Sequence, residues 1–122
     1  LLADAGFENY QTTINISRKL MTEKKDLVQR FVSASLEGWA EYMKGGEGNK
    51  AADAAILKDN PDMEQEKIDY AVKVMNEKGI VLSGDALTLG IGAMTDARWA
   101  SFYKTMTDAG VFPAGIDLKK AY

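Results

Sequence analysis

Residues 9–17, NYQTTINIS, decide how the rest of the chain is read. Tyr, Thr and Ile in partial alternation favour extended backbone, because β-branched and aromatic side chains fit a pleated surface, so this stretch is expected to form a short strand. One strand cannot satisfy the N–H and C=O groups along its own edges. Little else in the chain reads as extended, so the expectation implies a sheet that these residues barely supply.

Working outward, helical spacing dominates. Thr22 is expected to cap a helix with Glu23 and Asp26 in its first turn, where carboxylates meet the positive helix end. Leu27, Val28, Phe31, Val32, Ser35, Trp39, Tyr42 and Met43 then recur near helical spacing and predict roughly six turns with one buried face. GGEG at 45–48 ends that helix. AADAAIL, within Lys50–Asp59, predicts a short helix of small residues. Pro61 closes the next corner, and Asp62 with Gln65 approximates a capping box. Met63, Ile68, Ala71, Val72 and Met75 line the helix that follows. Gly79 should end it in a left-handed conformation, with Ile80 supplying the apolar contact.

Residues 81–92, VLSGDALTLGIG, are interrupted by Gly84, Gly90 and Gly92, and read either as a short strand or as an extended loop. In GIGAMTDARW, residues 90–99, glycines open a helix, an arrangement that can cradle an anion. The dinucleotide fingerprint and the ATP-loop ending are both absent, so these glycines read as corner residues. Thr95 is the expected cap. Trp99, Phe102, Tyr103, Met106 and Ala109 form one face, and Gly110 is the expected stop, before Pro113 and Gly115 turn the chain. The fold class expected is therefore a predominantly α-helical fragment with a short N-terminal strand, residues 1–122 forming one segment.

The 122 residues are 46% hydrophobic and 27% charged, as in a globular domain. A formal charge of -3 and the lack of a basic block argue against a nucleic-acid partner. Neither histidine nor cysteine occurs, which excludes disulfides, most zinc ligand sets and imidazole-based triads. No apolar run approaches the length of a membrane span. A first residue that is Leu rather than Met, and an uncapped LKKAY ending, read as cuts through a longer protein.

Chemistry-bearing patterns are sparse. Glu37 with Glu41, Asp62 with Glu66 and Glu66 with Asp69 share helix faces, but nothing in the sequence raises a carboxyl pKa, so they read as solvated. The serines have no imidazole to activate them. No catalytic residue, metal ligand or cofactor site is expected, and the chain reads as a binder rather than an enzyme. Trp39 with Tyr42, and Trp99 with Phe102 and Tyr103, read as core aromatics. The ligand candidates are polar residues at the start of the expected strand, Glu8, Asn9, Tyr10, Gln11 and Thr12, where side chains can converge on a cleft.

The order of Gly6 and Tyr10, DLVQRFVSASLEGWAEYM, KDNPDM, SGDA, GIGAMTDARW and TDAGVFPAGIDLKKAY resembles the C-terminal part of periplasmic substrate-binding proteins of ABC importers. The group implied includes binders of the thiamine pyrimidine precursor, of taurine and alkanesulfonates, and of nitrate. That resemblance implies a parent with a two-lobed α/β periplasmic-binding-protein fold, this segment being mainly the helical completion of its first lobe. It further implies capture of a small polar or heterocyclic solute for delivery to an ABC permease, and a periplasmic or extracytoplasmic lipoprotein location. Asn9, Tyr10 and Thr12 are the ligand-binding residues it places nearest the cleft. The alternative, from the residues alone, is a small helical protein–protein interaction or oligomerisation domain that packs its aromatic stripes against a partner; self-association fits either reading.

Overall fold

The computed structural model describes residues 2–10 and 12–120. Gln11, one of the ligand candidates, and the last two residues of the LKKAY ending lie outside the described residues. Among the described residues six α-helices follow one another: α1 (Arg18–Glu23), α2 (Lys25–Tyr42), α3 (Glu47–Asp59), α4 (Gln65–Glu77), α5 (Ala86–Leu89) and α6 (Asp96–Asp108). Short 3₁₀ turns occupy Leu2–Ala5 and Leu118–Lys120.

No strand occurs among the described residues, which corrects the expected short N-terminal strand. The physical reason lies in the partner. Strand propensity in Tyr, Thr and Ile is expressed only where a neighbouring edge takes up the backbone groups, and no strand among the described residues offers one. Ser17 turns the chain instead: its side chain accepts a hydrogen bond from the Leu20 N–H at 3.1 Å and caps α1. The helix thus starts before Thr22, whose hydroxyl donates back to the Arg18 carbonyl at 2.9 Å. Residues 81–92 form turns around α5, without a strand.

The chain clusters into two units, residues 15–93 and residues 1–14 with 94–122. In the first, α1 packs on α2, α2 on α3 and α3 on α4. Val28 and Ile68, 6% and 5% exposed, are the buried apolar side chains among the described residues. The long periodic stripe expected on α2 is divided: Val28 is buried, Val32, Ser35, Tyr42 and Met43 are half-buried, and Leu27, Phe31 and Trp39 stay exposed.

Helix α4 ends as its sequence dictates. Gly79 takes φ +59°, the Ile80 N–H donates to the Met75 carbonyl at 2.9 Å and the Gly79 N–H to the Asn76 carbonyl at 3.2 Å. Gly110 closes α6 with the same pair of bonds. At the start of α4, Glu64 occupies the cap position and no side-chain cap bond forms there, so the Asp62 and Gln65 capping box is absent. The Gln65 amide is engaged elsewhere.

In the second unit, α6 carries the chain ends. Phe102 meets Phe112 edge-on at 6.2 Å. The Tyr103 hydroxyl donates to the Pro113 carbonyl at 2.9 Å and accepts from the Ile116 N–H at 3.0 Å. Lys119 pairs with Asp96 in the first turn of the helix.

Candidate functional site

Asn9 and Tyr10 fasten the N-terminal segment to the start of α6. The Tyr10 ring lies 5.2 Å from that of Trp99, tilted by 55°, and the Arg98 guanidinium stands 4.5 Å from the Tyr10 ring centre. Its hydroxyl accepts the Thr95 N–H at 2.8 Å, while the Thr95 side chain caps α6 by accepting from the Arg98 N–H at 3.3 Å. Arg98 also donates to the backbone carbonyls of Glu8, at 3.3 Å, and Asn9, at 3.1 Å. Asn9 is half-buried, with its Oδ1 enclosed and lacking a hydrogen-bond partner among the described residues. Thr12 is exposed.

Of the predicted site residues, the structure therefore brings Asn9 and Tyr10 together on Arg98 and leaves Thr12 outside the cluster. Sequence reasoning missed Arg98. Its signal was available: it lies three residues after a good cap and beside Trp99, where a guanidinium can meet an aromatic face. Replacing Tyr10 by Phe keeps the ring and removes the acceptor of the Thr95 N–H. Thermal unfolding of Tyr10→Phe should show a loss of about 1 kcal/mol, and amide exchange at Thr95 should quicken.

A second polar cluster ties three helices of the other unit. Asp53 on α3 is 6% exposed. It accepts from the Tyr42 hydroxyl on α2 at 2.9 Å and from the Gln65 amide on α4 at 3.2 Å. Gln65 donates to Asp69 as well, at 2.9 Å. An open cleft of about 480 Å³ lies alongside, lined by Asn49, Lys50, Asp53, Leu57, Gln65 and Asp69 among others. No group of three or more potential ligands suited to a metal ion occurs among the described residues.

Burial, the hydrogen bond to Asp53 and the negative charges of Asp53 and Asp69, in that order, push the Tyr42 phenol up to about 12. It is a hydrogen-bond donor at neutral pH, not a nucleophile. An unfolded tyrosine releases its proton near the ordinary value of 10.0, so above that pH the unfolded chain holds fewer protons than the folded one. The contribution of Tyr42 to stability is complete below pH 10 and is lost as pH rises through about 12. Urea midpoints measured over that window should fall more steeply for the wild type than for Tyr42→Phe.

Several large apolar side chains are exposed. Phe31 is 59% exposed and Leu27 49%, next to each other on α2; Tyr70, Leu87 and Leu89 are exposed further still. Helix propensity and capping shape the helices, and Leu27 and Phe31 on α2 stay exposed.

Comparison with protein-family models, curated proteins and solved structures gave no match. The resemblance to periplasmic substrate-binding proteins is corrected by the fold. Two α/β lobes need parallel strands with helices on both faces, and the described residues are helical with no strand or sheet. The assignments that rested on it, capture of a solute such as a thiamine pyrimidine precursor and delivery to an ABC permease, fall with it. The helical interaction domain is the reading that agrees with the fold.

Proposed function

We propose that the chain is a helical protein-docking module whose uncovered helix faces are completed by another polypeptide, with binding rather than catalysis as its task. The observation that carries this reading is the pair of large apolar side chains left open side by side on α2, Leu27 and Phe31, 49% and 59% exposed. Contiguous exposed apolar patches mark interaction sites. The absence of histidine and cysteine, and a Tyr42 hydroxyl committed to Asp53, support a binding role.

Sedimentation over roughly two decades of concentration, with anilinonaphthalene sulfonate fluorescence at each point, tests the proposal. Expected is either a mass above that of one chain or a monomer that binds the dye through its open faces. A monomer that leaves the dye dark at every concentration would overturn it, because the apolar faces would then be covered internally.

A further inference from the structure

We infer that the partner of α2 is a second copy of the same chain, packed antiparallel along Leu27, Phe31, Ala34 and Gly38. This inference rests on the docking reading and names its occupant. The four residues recur at the four-, three- and four-residue steps of a helix seam, and all four are exposed. The stripe lies beside the one that carries Val28, so α2 covers one seam inside its unit and leaves a second open.

Size along the stripe is graded. Its N-terminal half is large, Leu27 and Phe31; its C-terminal half is small, Ala34 and Gly38, and a Cβ built on Gly38 would meet nothing within 4 Å. A two-fold axis across the helix pairs residue with residue in reciprocal fashion. Placed between residues 32 and 33, it sets Phe31 of each copy against Ala34 of the other, and Leu27 against Gly38. Each large side chain then faces a shallow place, which lets the axes approach to about 8 Å. A parallel pair would set Phe31 on Phe31 and Gly38 on Gly38, too full at one end and hollow at the other.

Charge agrees with shape. Arg30 and Glu37 flank the stripe on the same side, one in each half, and line an open groove with Asp26, Gln29, Ser33 and Ala34. In the antiparallel pair Arg30 lies near Glu37 of the second copy, twice over by symmetry. Arg30 already holds Asp26 at 2.9 Å, and its planar fork has donors left for a second carboxylate. A parallel two-fold pair would carry the flank bearing Arg30 and Glu37 to opposite sides of the seam on the two copies, so the two charges would not meet.

The deciding experiment is sedimentation equilibrium of the wild type and of Arg30→Glu, Glu37→Arg and Gly38→Leu, each checked by circular dichroism for helix content. These positions are solvent-exposed, and Gly38→Leu also favours helix, so the fold is retained. The wild type should dimerise, and Gly38→Leu should raise the dissociation constant about thirtyfold or more by filling the hollow that takes Leu27. Each charge variant alone should raise it about tenfold, since attraction becomes repulsion at two symmetric places. An equimolar mixture of Arg30→Glu and Glu37→Arg should recover the pairing, because every facing pair is then opposite in sign.

A dimer indifferent to all three variants would overturn the α2 pairing while leaving the docking module in place. So would a wild-type monomer that binds anilinonaphthalene sulfonate, its faces being open to a different polypeptide. Charge variants that weaken the dimer without recovery on mixing would overturn the antiparallel register. A wild-type monomer that leaves the dye dark would overturn both this inference and the docking reading.

Discussion

Gly92→Ala is expected to lower the stability of residues 15–93 by about 2–4 kcal/mol, from two costs that act at one atom. Gly92 has φ +83°, a conformation that L side chains rarely adopt, and a Cβ there would run into the Leu36 side chain on α2. The turn after α5 therefore lies on α2 because position 92 has no side chain. A urea titration followed by helix ellipticity would measure the loss. Combining it with Leu36→Ala separates the terms: the clash should disappear and the backbone cost remain, so the double variant should lose less than the two single losses added together. Strict additivity would place the whole effect in the backbone.

Asp53→Ala is expected to cost about 2–3 kcal/mol, as it leaves the Tyr42 hydroxyl and the Gln65 amide without their shared acceptor. Asp53→Asn keeps one acceptor oxygen and should cost less. Because Asp53 joins α2, α3 and α4, its loss should loosen all three helices in amide exchange. Tyr42→Phe, which removes one of its donors, should loosen mainly the contact between α2 and α3. In Asp53→Ala the alkaline loss of stability assigned to Tyr42 should also shrink, since the bonded carboxylate contributes to holding that proton.

Helix existence was readable from the chain wherever local chemistry is sufficient. Thr95 caps α6, and Gly79 and Gly110 close their helices with the bonds their positions predict. These features depend on a residue and its near neighbours, so periodicity and end signals carry them. The same local logic misread Thr22 as a cap, because Ser17 offers an earlier oxygen to the Leu20 N–H. It also assigned Gln65 to a capping box, whereas its amide serves Asp53, twelve residues away.

The candidate sites were less legible. Asn9 and Tyr10 stood out as polar residues at an expected strand edge, yet what engages them comes from Arg98 and Thr95, more than eighty positions later. Asp53 gave no signal in a segment of small helix-forming residues. Its role appears only when Tyr42 and Gln65 arrive from neighbouring helices. The open stripe on α2 was visible as periodic apolar residues, but periodicity does not say which of two adjacent seams a unit will cover.

By itself, the sequence determined a charged, cysteine-free and histidine-free chain that is mostly helical, with ends set by Thr95, Gly79 and Gly110. Tertiary structure alone decided that no strand forms among the described residues, the Tyr- and Ile-bearing N-terminal ones included, since a strand exists only through hydrogen bonds to a partner. It also decided that α2 buries Val28 while presenting Leu27, Phe31, Ala34 and Gly38 outward, because burial depends on what packs against a face as well as on the face.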